Sequence, residues 1–291
     1  MIFRILGSAA GGGVPQWNCA CANCIAARSG VAPRRTQSGA AVSADGDRWL
    51  LLNCSPDIAA QIETFAPLQP RSLRDTPIDG IALTDANVDH LGGLAALRQS
   101  GKHRFAICSS PVVRDIAVAQ TAFAPFEREP HRWDALADGE WGERFGLRLR
   151  GFSVPGTTPG YAGRREDPGA VFAYEIGAPG NGAPILFAPV FSAIDGPLFE
   201  AISRATVAIL DGSFFSHDEL LAGGFMEKTA RQLGHSPVGG SGGTLDRLRG
   251  VRTRIVFTHV NNSNPMLDPS SAAAVDVRRA GAEIAYDGMT F

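Results

Sequence analysis

Residues 81–94 read IALTDANVDHLGGL. An apolar run of strand character, Ile81 to Leu83, ends at Thr84, and a polar loop carrying Asp85, Asn87, Asp89 and His90 follows before Gly92-Gly93 and a helical pattern. Oxygen and nitrogen donors thus gather at the C-terminal end of a strand, where α/β folds place their ligands. An Asp-rich turn capping the next helix would use the same residue types. The stretch therefore takes its meaning from what surrounds it.

Outward from this loop, short apolar or alternating runs predict strands over 2–6, 40–43, 49–53, 80–83, 105–108, 147–152, 171–175, 184–188, 205–210 and 254–258. Helical patterns follow several of them, over 58–65, 91–100, 112–123, 243–248 and 269–280, with Pro111 opening the third. Strands alternating with helices argue α/β layers. No repeat of 20 to 50 residues is present, and the glycine-rich segments 223–224 and 239–243 are too short to separate domains.

The 291 residues, 44% hydrophobic and 19% charged, suffice for one well-packed core. The 27 Lys and Arg against 29 Asp and Glu supply no field for a polyanion, so nucleic-acid binding is not expected. Glycines interrupt the early apolar segment well short of a secretory or membrane-spanning length, which predicts a cytoplasmic protein without membrane insertion. Of five cysteines, Cys54 and Cys108 stand alone in apolar runs and read as buried thiols. Cys19, Cys21 and Cys24 are spaced C-x-C-x2-C, which suits thiolates converging on one tetrahedral Zn²⁺.

Five motifs in order resemble the metallo-β-lactamase superfamily, whose signature HxHxDH follows a strand and precedes a glycine-containing helix start. DANVDH, residues 85–90, takes that place, and LNCSPD, 52–57, the place of the earlier acidic strand-end motif. VPGTTPG, 154–160, resembles the third motif, ILDG, 209–212, the fourth, and FTHVNNSNP, 257–265, the fifth. The resemblance implies a single domain over 1–291 with an αββα four-layer sandwich of two mixed sheets flanked by helices.

It also implies two adjacent metal positions. The three histidines of the first fall here on Asp85, Asn87 and Thr157; the second falls on Asp89, His90, Asp211 and His259, all of the family's residue types. One position is dismantled and the other kept, which disfavours paired-zinc hydrolysis. Two His with one or two carboxylates is a ligand set of mononuclear non-haem iron, which leaves positions open, and Zn²⁺ or Mn²⁺ would also accept it. His235, in Gly234-His235-Ser236, is similar to a histidine that phosphodiesterase branches keep near the scissile group; it reads as a general acid or base or as a surface histidine. In those branches an early cysteine cluster is a structural zinc clip closed by a histidine at the position of Asn262, so the fourth ligand here is Asn262, a nearby residue or water.

Within the superfamily, VPQWNCAC, TDANVDHLGGL and HVNNSNP resemble a family of pyrroloquinoline quinone (PQQ) biosynthesis. The resemblance implies an iron-dependent hydroxylase acting on the tyrosine moiety of a peptide-derived Glu-Tyr intermediate. Asp85, Asn87 and nearby arginines would orient the substrate's carboxylates and His235 would manage protons. The partner would be the PQQ precursor or PQQ, and the chain a homodimer. Two other readings are a carrier of PQQ or its precursor and a metal-dependent phosphodiesterase-like hydrolase.

Overall fold

The fold was described from a computed structural model covering residues 1–100, 103–128, 131–180 and 182–291. The strands are β1 (Ile2–Gly7), β2 (Gly39–Ser43), β3 (Trp49–Leu52), β4 (Ile78–Ala82), β5 (Ala106–Ser109), β6 (Arg132–Ala135), β7 (Trp141–Arg144), β8 (Leu147–Ser153), β9 (Phe172–Gly177), β10 (Ile185–Ala188), β11 (Val207–Asp211), β12 (Arg254–Thr258) and β13 (Glu283–Ile284). The helices are α1 (Ala22–Arg28), α2 (Ile58–Glu63), α3 (Val88–Leu91), α4 (Leu94–Leu97), α5 (Pro111–Val118), α6 (Gly196–Arg204), α7 (Glu219–Ala222), α8 (Thr244–Arg247) and α9 (Ala272–Arg279).

Strands β1 to β6 form one sheet and β7 to β13 a second, each in chain order. In both, an antiparallel portion gives way to a parallel one: β3, β4, β5 and β6 run parallel in the first, and β10, β11, β12 and β13 in the second. Alternation along each strand assigns its faces. In the second sheet Ile185, Phe187, Val207, Ile209 and Val256 point into the space between the sheets, where they meet Phe3, Val42, Leu50 and Leu52 of the first. Their neighbours Leu186, Ala208, Leu210 and Phe257 point the other way, onto Leu198, Ile202 and Val277 of α6 and α9. Trp49, Leu51 and Ile81 likewise turn outward onto Ile58, Leu94 and Val113. The central strands of each sheet are buried on both faces, which is why they read as continuous apolar runs. The result is the four-layer αββα sandwich of the metallo-β-lactamase fold.

Several features depart from the sequence expectation, among them helices α1 and α7 and strand β13, which it did not contain. The helix expected over 91–100 is two short helices, α3 and α4, parted by Gly92-Gly93. A side chain at Gly93 would lie 2.2 Å from the Ser55 carbonyl oxygen, so the bare glycine lets this segment rest on the loop after β3. Helix α6 was not expected, although Asp195 caps it by accepting from Leu198 N at 2.9 Å and Leu198 and Ile202 are wholly buried. Burying each of those side chains is worth about 1.5–3 kcal/mol. Strands β6 and β7 were also unexpected. No helix among the described residues is long and apolar enough to cross a membrane.

The parallel strands β3, β4, β11 and β12 bring their C-terminal ends to one edge of the sandwich, so Asn53, Asp85, Asp211 and His259 all issue there. Beside this edge, Glu219 at the start of α7 accepts from Phe215 N at 2.7 Å through Oε2, while its Oε1 is buried without a partner. Burial pushes its carboxyl up to about 7, against the hydrogen bond from Phe215 N. The folded state thus holds the Glu219 proton more tightly than the unfolded chain, whose group titrates near 4.5. The stability this adds is full below that value and lost as pH rises through about 7. Its size is about 3 kcal/mol. Thermal melts of Glu219→Gln should match the parent at pH 4.5 and exceed it by several degrees at pH 8.5; parallel curves would refute the assignment.

Candidate metal centre

His90 is held from behind. Its ring is fully buried, and Nδ1 donates to Asp85 Oδ2 at 2.6 Å. The same carboxylate oxygen accepts from Thr84 Oγ1 at 2.8 Å, and Oδ1 accepts from the Asn87 backbone and side-chain N–H groups at 2.9 and 2.7 Å. With the Nδ1 proton committed, Nε2 presents its lone pair, yet it is buried and has no hydrogen-bond partner.

His259 is arranged in the same sense. It follows β12 with φ of 57°, a left-handed conformation that costs a non-glycine residue free energy and recurs at functional sites. Its Nδ1 lies 2.8 Å from Ser213 Oγ and its Nε2 3.2 Å from Asp89 Oδ2. His90 Nε2 approaches that same oxygen to 3.8 Å. With both Nδ1 atoms as donors, both Nε2 atoms and a carboxylate oxygen turn toward one another, an arrangement that a cation, either a proton or a metal ion, resolves. One ligand atom each from Asp89, His90 and His259 lie within 4.8 Å of one another, so this donor set fits a divalent metal. Burial disfavours charge here, but without an ion the carboxylates of Asp85 and Asp89 push His90 up to about 9, so a metal bound at Nε2 takes the place of a proton. The His90 and His259 rings in turn hold Asp89 well below the usual carboxylate range despite its desolvation.

Asp211, expected beside these three as a metal ligand, belongs to a second group with His235 and His259. Its Oδ2 accepts from His235 Nδ1 at 2.8 Å and from Phe191 N at 3.3 Å; its Oδ1 accepts from Ser213 N at 2.9 Å and Ser213 Oγ at 2.6 Å. Both oxygens are therefore already engaged, and the four-residue set splits into two groups that share His259. Ser213, which the sequence reading passes over, is the hub between them, touching Asp211, His235 and His259. Its signal was a hydroxyl two residues after a strand-end aspartate, the spacing of a local Asx bond.

Asp85 also departs from expectation. It is wholly buried, with its oxygens turned to His90, Thr84 and Asn87, so it orients His90 instead of meeting a substrate. Asn87 and His235 do line a cavity of about 190 Å³, together with Asp89, Thr157, Arg164 and His259. Gly11 closes one side; a Cβ there would stand 3.2 Å from Asp89 Oδ2. A larger groove of about 1040 Å³ beside α9 contains none of the metal-group residues. His103, His131 and His217 lie outside the cavity. Cys54 and Cys108 are fully buried with burial pushing both thiols up, as inert structural cysteines should be.

The three clustered cysteines do converge, their sulfur atoms lying within 4.8 Å of one another. Backbone N–H groups of Gln16 and Cys21 point at Cys24 Sγ and Cys19 Sγ at 3.3 and 3.4 Å, as around metal thiolates. The Asn262 amide sits at the remaining side, 3.3 Å from Cys24 Sγ and 3.6 Å from Cys21 Sγ. Burial pushes Cys21 up to about 11. The three sulfur donors thus fit Zn²⁺, and the Asn262 amide, which donates its N–H groups to Cys21 and Cys24, closes the remaining side.

The two-sheet sandwich and the cluster of His and Asp at its edge define a metal-site protein of the metallo-β-lactamase type. Residues 48–260 match the β-lactamase superfamily domain. Coenzyme PQQ synthesis protein B of Methylobacillus flagellatus is 40% identical over 301 residues, covering 99% of each chain, and that of Pseudomonas protegens is 38% identical over 307 residues, covering 100% and 99%. A Zn²⁺-bound PqqB crystal structure from Methylobacterium extorquens superposes with a TM-score of 0.93 at 35% identity, covering 100% of this chain and 99% of that one. A diphosphatase of the PhnP family shares the fold at a TM-score of 0.70 and 20% identity, covering 100% and 96%. The chain belongs to the β-lactamase superfamily and, within it, to the coenzyme PQQ synthesis protein B family.

Proposed function

We propose that this protein acts in PQQ biosynthesis as an iron-dependent hydroxylase of the tyrosine moiety of a peptide-derived Glu-Tyr intermediate. Asp89, His90 and His259 hold the metal, and Cys19, Cys21 and Cys24 hold a structural Zn²⁺. The observation that carries the reading is the buried, unpartnered His90 Nε2 facing His259 Nε2 and Asp89 Oδ2. Two imidazoles and one carboxylate leave positions open, and ferrous iron bound there supplies redox access to dioxygen.

The chain's own residues do the rest. Asp85 and Ser213 fix the tautomers of the two ligand rings. Asp211 holds His235 by Nδ1, which leaves its Nε2 free to take or give a proton at the cavity wall. Asn87 and Thr157, at the dismantled metal position, present an amide and a hydroxyl to a polar substrate. Membership of the PQQ synthesis family supports the choice of pathway.

The Asp211–His235 pair gives the phosphodiesterase-like reading its one support, since it resembles an acid–base dyad. Asn87 and Thr157 offer no imidazole for a second metal. The test is dioxygen uptake by the Fe²⁺-loaded protein given the Glu-Tyr intermediate, which should run in proportion to hydroxylated product and vanish in His259→Ala. Full hydroxylation by an iron-free His259→Ala protein would sink the assignment, and tight PQQ binding without oxygen uptake would leave the carrier reading.

A further inference from the structure

Arg164 lines the same cavity as Asp89, His235 and His259. Its Nη1 donates to the Leu233 carbonyl oxygen at 2.8 Å and lies 3.4 Å from Thr157 Oγ1. Those two contacts fix the head of a long side chain without neutralising it. No carboxylate among the described residues forms an ion pair with it, whereas its neighbour Arg165 is paired with Asp167 at 3.0 Å. Thr157 stands where the superfamily resemblance would put a metal-binding histidine, so a fixed guanidinium charge now rests against that dismantled position.

The acidic groups around the cavity are already committed to the proposed metal or to an imidazole. Asp89 lines the cavity, and Asp85 and Asp211 lie just behind His90 and His235. Among the residues lining the cavity Arg164 is the Arg or Lys side chain, unpaired among the described residues, and a guanidinium with spare N–H donors in a planar fork is well suited to receive a carboxylate. We propose that Arg164 is the carboxylate receptor of this site, a specificity-determining residue that selects aromatic polycarboxylic acids by gripping one carboxylate while the reacting end faces Asp89, His90 and His259. The inference rests on the function proposed above for the substrate's class. It goes beyond that reading in assigning the residue.

The probe is PQQ itself, an aromatic tricarboxylate, titrated calorimetrically into the Zn²⁺-loaded protein, with its trimethyl ester as the uncharged comparison. Arg164→Gln should weaken PQQ about 10- to 100-fold, the range of a lost charge-assisted hydrogen bond. Arg164→Lys should recover part of that, Arg165→Gln should leave binding unchanged, and the ester should bind parent and Arg164→Gln alike. PQQ binding by Arg164→Gln within twofold of the parent overturns the proposal. So does an equal loss for the ester, an equal loss in Arg165→Gln, or no PQQ binding by the parent. Failure of the hydroxylase reading would appear separately, as an Fe²⁺-loaded parent that consumes no dioxygen while its PQQ binding still depends on Arg164.

Discussion

His90→Ala is expected to empty the active-site metal position, whereas Asp85→Asn keeps the metal but lowers its affinity about 10- to 100-fold, the usual effect of losing a partner behind a ligand. The two residues differ in what they give the ion. His90 offers Nε2 directly, and its removal leaves Asp89 and His259 as a two-residue set. Asp85 acts only through the 2.6 Å bond to His90 Nδ1, which fixes the ring's rotation and makes Nε2 the basic atom. An asparagine fills the same space between Thr84 and Asn87 without the anionic acceptor. Chelator-competition titrations of parent and both variants measure the order directly. Wild-type affinity in Asp85→Asn would show that the bond orients nothing of consequence, and metal retained by His90→Ala would move the centre to the group around Asp211 and His235.

That contrast marks where sequence reading succeeds and where it stops. The strands that carry the site were legible because β10, β11 and β12 bury both faces and so appear as unbroken apolar runs, while β3 and β4 end in abrupt polar clusters. Strands β6 and β7 were hidden for the opposite reason: they are four residues each, and every residue of β7 is exposed or half-buried, so neither shows a period. Helix α6 hides behind Gly196-Pro197, which reads as a turn, although Asp195 and the spacing of Leu198, Ala201 and Ile202 carry a helical signal. At the site, the motif resemblance singled out Asp89, His90, Asp211 and His259, of which Asp89, His90 and His259 converge as one group. Whether a carboxylate faces an ion or the back of an imidazole depends on a rotation that spacing does not encode, so the roles of Asp85 and Asp211 appeared only in three dimensions. Ser213 was invisible because hydroxyls are common and only its three partners distinguish it.

Cys21→Ser should lose the N-terminal zinc and melt about 6–12 °C lower while the metal at Asp89, His90 and His259 stays bound. The cysteine cluster joins two distant stretches: the Asn262 amide touches Cys21 and Cys24, and Asn23 Nδ2 donates to the Asn262 and Asn264 carbonyl oxygens at 3.0 and 2.9 Å. Asn264 then donates to the Gly212 and Ser213 carbonyl oxygens, both at 3.0 Å, reaching the residue that touches His259. Zinc held a hundred- to a thousandfold above its dissociation constant adds about 3–4 kcal/mol to folding. About 3 kcal/mol corresponds to the stated fall in melting temperature for a domain near this size. The large core shared by the two sheets does not depend on that contribution, so the variant should fold. His259 also keeps supports independent of the clip, since Gly212 N donates to Thr258 O at 2.7 Å and Val260 N to Ser8 O at 2.9 Å. Stability should therefore fall before chemistry does, the reverse of His90→Ala. Metal analysis with melting curves decides the point: a Cys21→Ser protein that holds zinc and melts with the parent removes the clip, and one that loses both metals together makes the Asn23–Asn264–Ser213 path essential to the active centre.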